Sequence, residues 1–579
     1  MQAVNSIHFS KKDSVGDYYW ANDERVLIFL STKQRNKEQK AYYGELYAID
    51  IDKNKGKFVF GVRSLTHKRR FKSGVTSIDY ERHFSHPTII NSLIDDKEHI
   101  VIATSQYDNA GMWVYKLNIY TGKIETIAQI EHETANVWYF DKTNELWLQT
   151  KLSSGKTVLE RYDFKLSQWL RFEPQDISFN LSVVASLPEK NELIISDYCG
   201  ADTISICRLN LQNMKMSVLY TQPGTDISWV YLDKSNQIYA YRYFDKYPQI
   251  KVTNLEAARA KQMSKLISNF TGYDLRIKRT KKNTDLSLLS ISSDIQPKLW
   301  YLFNNKTNKF TFVAKSKKSI NVNQMSKQYS FDFKSRDSLD IQGYITFPNS
   351  VLNKDLPAVI LVHGGPHSRD YWGFNPEVQL LASKGYAVVQ VNFRGSSGFG
   401  WDFEKLGFKE WGEKIQFDIL DSIEFLVGKK YIDKNRLCIM GASFGGYSAM
   451  QSTLLSPDLF KCTVASSGVY DLVLHADKFS EKVEEYDNRL GEDNIKIAHS
   501  PVHSVAKLNN PLLLAHGTKD SVTKLDQAEV LIKQLEAHDK QYEWIELENE
   551  SHYFYNLKNR IKYYERVVKF VQQHNPATL

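Results

Sequence analysis

The 579 residues carry 75 Lys and Arg against 67 Asp and Glu, a net charge of +8, with 42% hydrophobic and 25% charged residues. Such a chain is too long for one ordinary core, so two or three domains are expected. No stretch approaches the ~18 unbroken apolar residues of a membrane span. The short basic clusters His67-Lys68-Arg69-Arg70 and Lys315-Ser316-Lys317-Lys318 lack an aromatic platform, which argues against a nucleic-acid partner. The first residues, Met1 to Ser6, lack a charged segment followed by an apolar one, so a cytoplasmic chain is expected unless a signal has been removed. Four cysteines are too few for a disulfide framework. Cys438 and Cys462 read as buried thiols, and Cys199 and Cys207, which could pair across neighbouring strands, read as reduced. No Cys or His spacing suggests a metal site.

Residues 1–325 read as short strands separated by polar turns. Val26-Leu27-Ile28-Phe29-Leu30, His99-Ile100-Val101-Ile102-Ala103, Glu145-Leu146-Trp147-Leu148-Gln149 and Glu192-Leu193-Ile194-Ile195-Ser196 are typical. Helical periodicity is confined mainly to residues 255–267. Pairs of strands recur, as in Trp113-Val114-Tyr115-Lys116-Leu117 followed by Lys123-Ile124-Glu125-Thr126-Ile127. The repeat predicts about six to seven four-stranded β-propeller blades, with the first blade incomplete or hidden in residues 1–14 and 63–84. A pair of β-sandwiches is the rival.

Residues 326–579 change rhythm. Strands at Ala358-Val359-Ile360-Leu361-Val362, Ala387-Val388-Val389-Gln390-Val391, Leu437-Cys438-Ile439-Met440, Thr463-Val464-Ala465, Leu512-Leu513-Leu514 and Trp544-Ile545-Glu546-Leu547 alternate with helical segments near 376–383, 413–426, 525–537 and 563–572. Alternation of this kind predicts a mostly parallel, doubly wound α/β sheet with its site at the strand ends.

The string Gly441-Ala442-Ser443-Phe444-Gly445-Gly446 falls between an apolar strand and a small-residue helix. It has the form of a nucleophile elbow, in which glycines allow a strained serine to stand above the sheet edge. A serine needs a base, and the base needs an orienting carboxylate. The expected chain order selects Asp520, in His516-Gly517-Thr518-Lys519-Asp520, and His552, in Glu550-Ser551-His552-Tyr553-Phe554; each follows a strand. Asp526 is the fallback carboxylate. His538 and His574 read as surface, and His499 and His503 break the order. The oxyanion donors are expected to be the Phe444 N–H and the glycine turn His363-Gly364-Gly365-Pro366, through Gly365; His367 reads as structural.

With these residues laid out, the chain resembles the prolyl oligopeptidase family of serine peptidases, and within it the acylaminoacyl-peptidase and dipeptidyl-peptidase-like branch. The likeness covers residues 328–579 and rests on several motifs in order. They are Ser335-Arg336-Asp337, His363-Gly364-Gly365-Pro366-His367, Asn392-Phe393-Arg394-Gly395-Ser396-Ser397-Gly398-Phe399-Gly400, the elbow, and the segments around Asp520 and His552. The resemblance implies a Ser443–Asp520–His552 triad, oxyanion donors at Gly365 and Phe444, and a propeller that limits substrates to peptides and small acyl compounds. Three departures stand out. Some relatives have a tyrosine oxyanion donor near His363, where this chain must use main chain. Phe444 replaces a common tyrosine. In Ser521-Val522-Thr523 the valine is shifted by one position.

The sequence therefore predicts a propeller over 1–325, an α/β-hydrolase domain over 326–579, and a serine peptidase acting on short peptides through an acyl-enzyme. No cofactor, metal or membrane is needed, and a homo-oligomer is left open. An esterase on the same fold, or a non-catalytic propeller binding protein, is the alternative.

Overall fold

The computed structural model describes residues 6–577 apart from 11–12, 34–39, 54, 66–81, 94, 107–110, 132–133, 152–155, 175–176, 179–180, 234, 280–284, 350–353 and 478–488. The basic cluster at 67–70 and most of the 63–84 loop lie outside the described residues. The chain divides into two compact units, residues 1–221 and 222–579.

The first unit holds four antiparallel sheets, each of four consecutive strands. The first sheet runs through Asp13–Trp20, Arg25–Lys33, Lys40–Asp50 and Lys57–Phe60, and the second through Ser85–Asn91, His99–Gln106, Met112–Asn118 and Ile124–Ile130. The third opens at Thr134–Phe140 and the fourth at Ser182–Leu187. The opening strands of the second, third and fourth sheets touch in succession, the radial arrangement of propeller blades. Alternate side chains fill the space between neighbouring blades, as with Leu27, Leu46, Ile100 and Tyr115 in one cluster and Trp147, Leu193 and Leu209 in another.

In the second unit a three-stranded sheet, Ile227–Leu232, Ile238–Asp245 and Tyr247–Val252, is followed by a helix at Ala258–Asn269. A four-stranded sheet over Asp274–Arg279, Leu286–Ser292, Leu299–Asn304 and Lys309–Lys315 comes next. The fold is thus a β-propeller of six blades followed by an α/β-hydrolase sheet.

That last sheet has eight strands: β1 (Gln328–Lys334), β2 (Asp340–Thr346), β3 (Leu356–Val362), β4 (Ala387–Asn392), β5 (Ile432–Ala442), β6 (Cys462–Ser466), β7 (Leu512–Gly517) and β8 (Tyr542–Leu547). Their spatial order is β1-β2-β4-β3-β5-β6-β7-β8, antiparallel at β1-β2-β4 and parallel from β4 onward. The helices that matter for the site are α1 (Pro376–Ala382), α2 (Lys414–Gly428), α3 (Phe444–Leu455), α4 (Asp526–Ala537) and α5 (Leu557–His574). β3 and β4 are buried almost throughout because helices cover both faces of the sheet, and β3 is correspondingly apolar.

The reduced reading of the cysteines is overturned. Cys438 and Cys462 are register partners on β5 and β6, so their side chains emerge on the same face, and they are bonded. Cys199, just past the strand Glu192–Asp197, is bonded to Cys207. The pairing depends on which strands become neighbours, which cysteine spacing along the chain does not reveal.

The turn after β4 is anchored by charge. Arg394, 3% exposed, forks onto Asp418 of α2 through Nε and Nη2 at 2.9 and 2.7 Å, and onto Asp337 of the β1–β2 turn at 2.7 Å through both Nη atoms. Asp418 is fully buried. Arg336 makes a parallel fork to Asp421, one turn along the same helix. Removing one member of such a set leaves an uncompensated buried charge. Arg394→Ala should therefore cost about 3–5 kcal/mol, read as a fall in the midpoint of urea unfolding; an unchanged midpoint would show that the network is dispensable.

Candidate active site

Ser443 joins the end of β5 to the start of α3 at φ 59° and ψ −125°. A non-glycine residue rarely holds this conformation, and its neighbours must enforce it. The enforcement is visible in the glycines. A Cβ at Gly445 would stand 2.2 Å from the Val362 carbonyl oxygen, one at Gly441 2.4 Å from the Gly445 oxygen, and one at Gly446 2.8 Å from the Ser466 oxygen. The Ser443 N–H donates to the Ser466 carbonyl at the end of β6, 3.0 Å away. Phe444 opens the helix, where no intrahelical carbonyl can take its N–H. Its ring is buried against Trp411 and Phe393, so the part of Phe444 on offer at the site is main chain.

The turn after β3 meets the elbow. A Cβ at Gly364 would lie 3.6 Å from Ser443 Cβ. Gly365 sits at φ 128°, and a side chain there would come within 2.8 Å of the His367 nitrogen. His363 stiffens the turn: its ring stacks on Phe393 at 4.3 Å, with Nδ1 2.8 Å from the Gly364 oxygen and Nε2 3.2 Å from Ser396 Oγ. Burial pulls its pKa down to about 4, so it is neutral near pH 7. His367 contacts the Gly395 carbonyl at 2.9 Å, a structural role.

Asp520 follows β7 and His552 follows β8. His552 Nδ1 is 2.7 Å from Asp520 Oδ2, and the Asp520 side chain is wholly inaccessible. The N–H groups of Val522 and Thr523 donate to Asp520 Oδ1 at 2.9 and 3.0 Å, an Asx-type turn. Burial by itself would raise the Asp520 carboxyl. The hydrogen bond and charge of His552 and the Val522 N–H outweigh it and hold the group below the usual carboxylate range. With Nδ1 committed to Asp520, His552 keeps Nε2 for other work.

The structure thus pairs Asp520 with His552 and sets Ser443 beside the Gly364 turn; among the described residues the Ser443 hydroxyl makes no hydrogen bond to His552. The competing candidates have other settings. Asp526 opens α4, His538 contacts the Gln534 carbonyl at its far end, His574 packs edge-on against Phe570, and His499 approaches Glu413. Sequence reasoning passed over Thr523, whose hydroxyl lies against both Asp520 and His552. A hydroxyl three residues beyond a strand-end aspartate was the available signal. Among the described residues no cluster of His, Cys, Asp and Glu could hold a metal ion, and no helix is long and apolar enough to cross a membrane.

A propeller joined to an α/β-hydrolase sheet with a strained serine elbow defines a class of serine hydrolases. Residues 372–577 match the family model described as "Prolyl oligopeptidase family". The chain is 22% identical to "Dipeptidyl peptidase family member 6" of Caenorhabditis elegans, over 98% of this chain and 80% of that protein. It is 23% identical to "Dipeptidyl aminopeptidase BIII" of Pseudoxanthomonas mexicana, over 94% and 78%. Its fold is similar to that of a Mycobacterium tuberculosis puromycin-hydrolyzing peptidase, with a TM-score of 0.74 at 15% identity, over 97% of this chain and 86% of that one. Residues 372–577, the stretch that holds Ser443, Asp520 and His552, are thus similar to the prolyl oligopeptidase family of peptidases.

The elbow generates its own test. Gly445→Ala forces a methyl group into the Val362 carbonyl and must shift α3, an overpacking that should lower the rate of fluorophosphonate labelling at least about tenfold in folded protein. Labelling at the parent rate would show that the elbow has slack.

Proposed function

We propose that this chain hydrolyses short peptides through an acyl-enzyme formed on Ser443. The observation that carries the proposal is the 2.7 Å contact between His552 Nδ1 and a buried Asp520, beside an elbow whose serine is aimed by backbone strain. His552 Nε2 takes the Ser443 proton as Oγ attacks the scissile carbonyl carbon. The developing oxyanion is held by the N–H groups of Phe444 and Gly365, each such donor being worth roughly 10²–10³ in rate. The C–N bond breaks as the imidazolium returns its proton to the leaving amine. Water then attacks the ester, with His552 again as base, and Ser443 is regenerated. Asp520 stays ionised and stabilises the imidazolium.

The names of the two relatives matched over nearly the whole chain support a substrate class: peptides with a free N-terminus, from which dipeptides are released. We take the domain division as residues 325/326, between the strand Lys309–Lys315 and β1. The two disulfides support folding in an oxidising compartment rather than the cytoplasm. Thiol titration of the denatured, unreduced protein should then find none of the four thiols free; four free thiols would restore the cytoplasmic reading.

Ser443→Ala should lower kcat by at least about 10⁴-fold while leaving the melting temperature in place. Dipeptidyl-nitroanilides should be cleaved faster than aminoacyl-, blocked-peptide or short-chain ester substrates. Preference for the esters would move the chain to the acyl-hydrolase alternative, and activity surviving in Ser443→Ala would sink the nucleophile assignment.

A further inference from the structure

Where valine is shifted by one position after Asp520, the chain carries Thr523, 2% exposed. Its hydroxyl has one proton and three polar neighbours: the Ser467 carbonyl oxygen at 2.8 Å, Asp520 Oδ2 at 3.1 Å and His552 Nδ1 at 3.2 Å. Both ends of the residue are also tied down. Its N–H donates to Asp520 Oδ1, and its carbonyl lies 2.9 Å from Nε2 of the buried His516. We propose that Thr523 is a positioning residue, clamping the acid–base loop to the strand that supports the nucleophile and holding His552 in register with Ser443.

The argument follows the bonds. β6 ends at Ser466, whose carbonyl takes the Ser443 N–H. The next residue, Ser467, donates its own N–H to Ala515 of β7 and offers its carbonyl to Thr523 Oγ1. A continuous path therefore runs from the Ser443 backbone through Ser466 and Ser467 to the Thr523 hydroxyl, which touches both Asp520 and His552. Ser467 takes a left-handed φ of 44°, which turns the chain where β6 hands over to the loop. The shortest of the three contacts assigns the Thr523 proton to the Ser467 carbonyl. The lone pairs of Oγ1 are then free to face His552 Nδ1–H, which Asp520 Oδ2 and Thr523 Oγ1 share as a three-centre bond. In that arrangement the hydroxyl oxygen fixes the ring plane and the Nδ1–H tautomer, and it stabilises the imidazolium when Nε2 takes a proton. Valine has the same shape but neither the clamp to Ser467 nor the oxygen beside Nδ1.

This inference rests on the proposed Ser443–His552–Asp520 chemistry, and the test separates the two. Parent, Thr523→Val, Thr523→Ser and Ser443→Ala proteins are compared on one dipeptidyl-nitroanilide. Thr523→Val should lose about tenfold in kcat, the value of one hydrogen bond to a charged group, with KM within about twofold of the parent. Thr523→Ser, which keeps the hydroxyl and loses the methyl, should recover kcat to within about twofold. The downfield His552 Nδ1–H proton resonance should be retained in Thr523→Ser and broadened by exchange in Thr523→Val. Unchanged kcat in Thr523→Val overturns the clamp. So does an equal loss in Thr523→Ser at an unchanged melting temperature, because the methyl would then be the working part. If the parent itself neither turns over nor labels at Ser443, the peptidase-site reading falls and this inference with it.

Discussion

Helix α3 begins so close to the ends of β3 and β6 that two positions of its first turn, Gly445 and Gly446, have no room for a side chain. Gly445 and Gly446 face carbonyl oxygens at distances no Cβ could tolerate, and Gly441 faces Gly445 itself. With both flanks closed, the residue between strand and helix can connect them only at positive φ, and Ser443 bears that strain. The strain decides where its hydroxyl stands, and the supporting elements must hold their places for the strain to persist. β6 does so through the Ser466 carbonyl, and the β3 turn does so by resting Gly364 against Ser443.

A second tier holds the β3 turn from below. His363 stacks on Phe393, and Phe393 packs on Phe444, so the turn and the elbow share one aromatic support. Phe393 is followed by Arg394, whose guanidinium grips a helix on one side and the β1–β2 turn on the other. An arginine suits this place because its planar fork meets two carboxylates with parallel bonds, which a lysine cannot do. The paired charges are costly to bury, and their return is geometric: the turn after β4 is tied both to α2 and to the β1–β2 turn.

The local rhythm of the chain made much of this legible. Strand and helix periods switch near residue 326, and the eight-stranded sheet begins at Gln328. The elbow, the Gly364 turn and the two strand-end loops are short-range patterns, readable because their chemistry demands particular residues at fixed spacing. What escaped depends on neighbours distant in sequence. The Cys438–Cys462 bond follows from β5 and β6 lying in register. The double grip of Arg394 joins residues 57 and 24 positions away. The start of α5 at Leu557, ahead of the periodic stretch, escaped for a local reason instead: it is set by an Asn556 cap, while Tyr555 and Leu557 are exposed and add no apolar signal.

The strand-end loops also resolve a problem of two histidines beside one carboxylate. His516 Nε2 and His552 Nδ1 lie 3.6 and 2.7 Å from the same Asp520 oxygen. Were both imidazoles to draw on it, the charge of Asp520 would be divided. Burial lowers the His516 pKa and keeps that ring neutral, although Thr523 and Asp520 pull the other way. Its Nε2 is turned to the Thr523 carbonyl at 2.9 Å, a shorter contact than the one to Asp520. Asp520 Oδ1 is meanwhile occupied by two backbone N–H groups. The Oδ2 lone pair is left to face His552, whose side chain is only slightly exposed. A buried neutral histidine thus works as packing, and by spending its proton on a carbonyl it leaves the carboxylate to the histidine at the edge of the site.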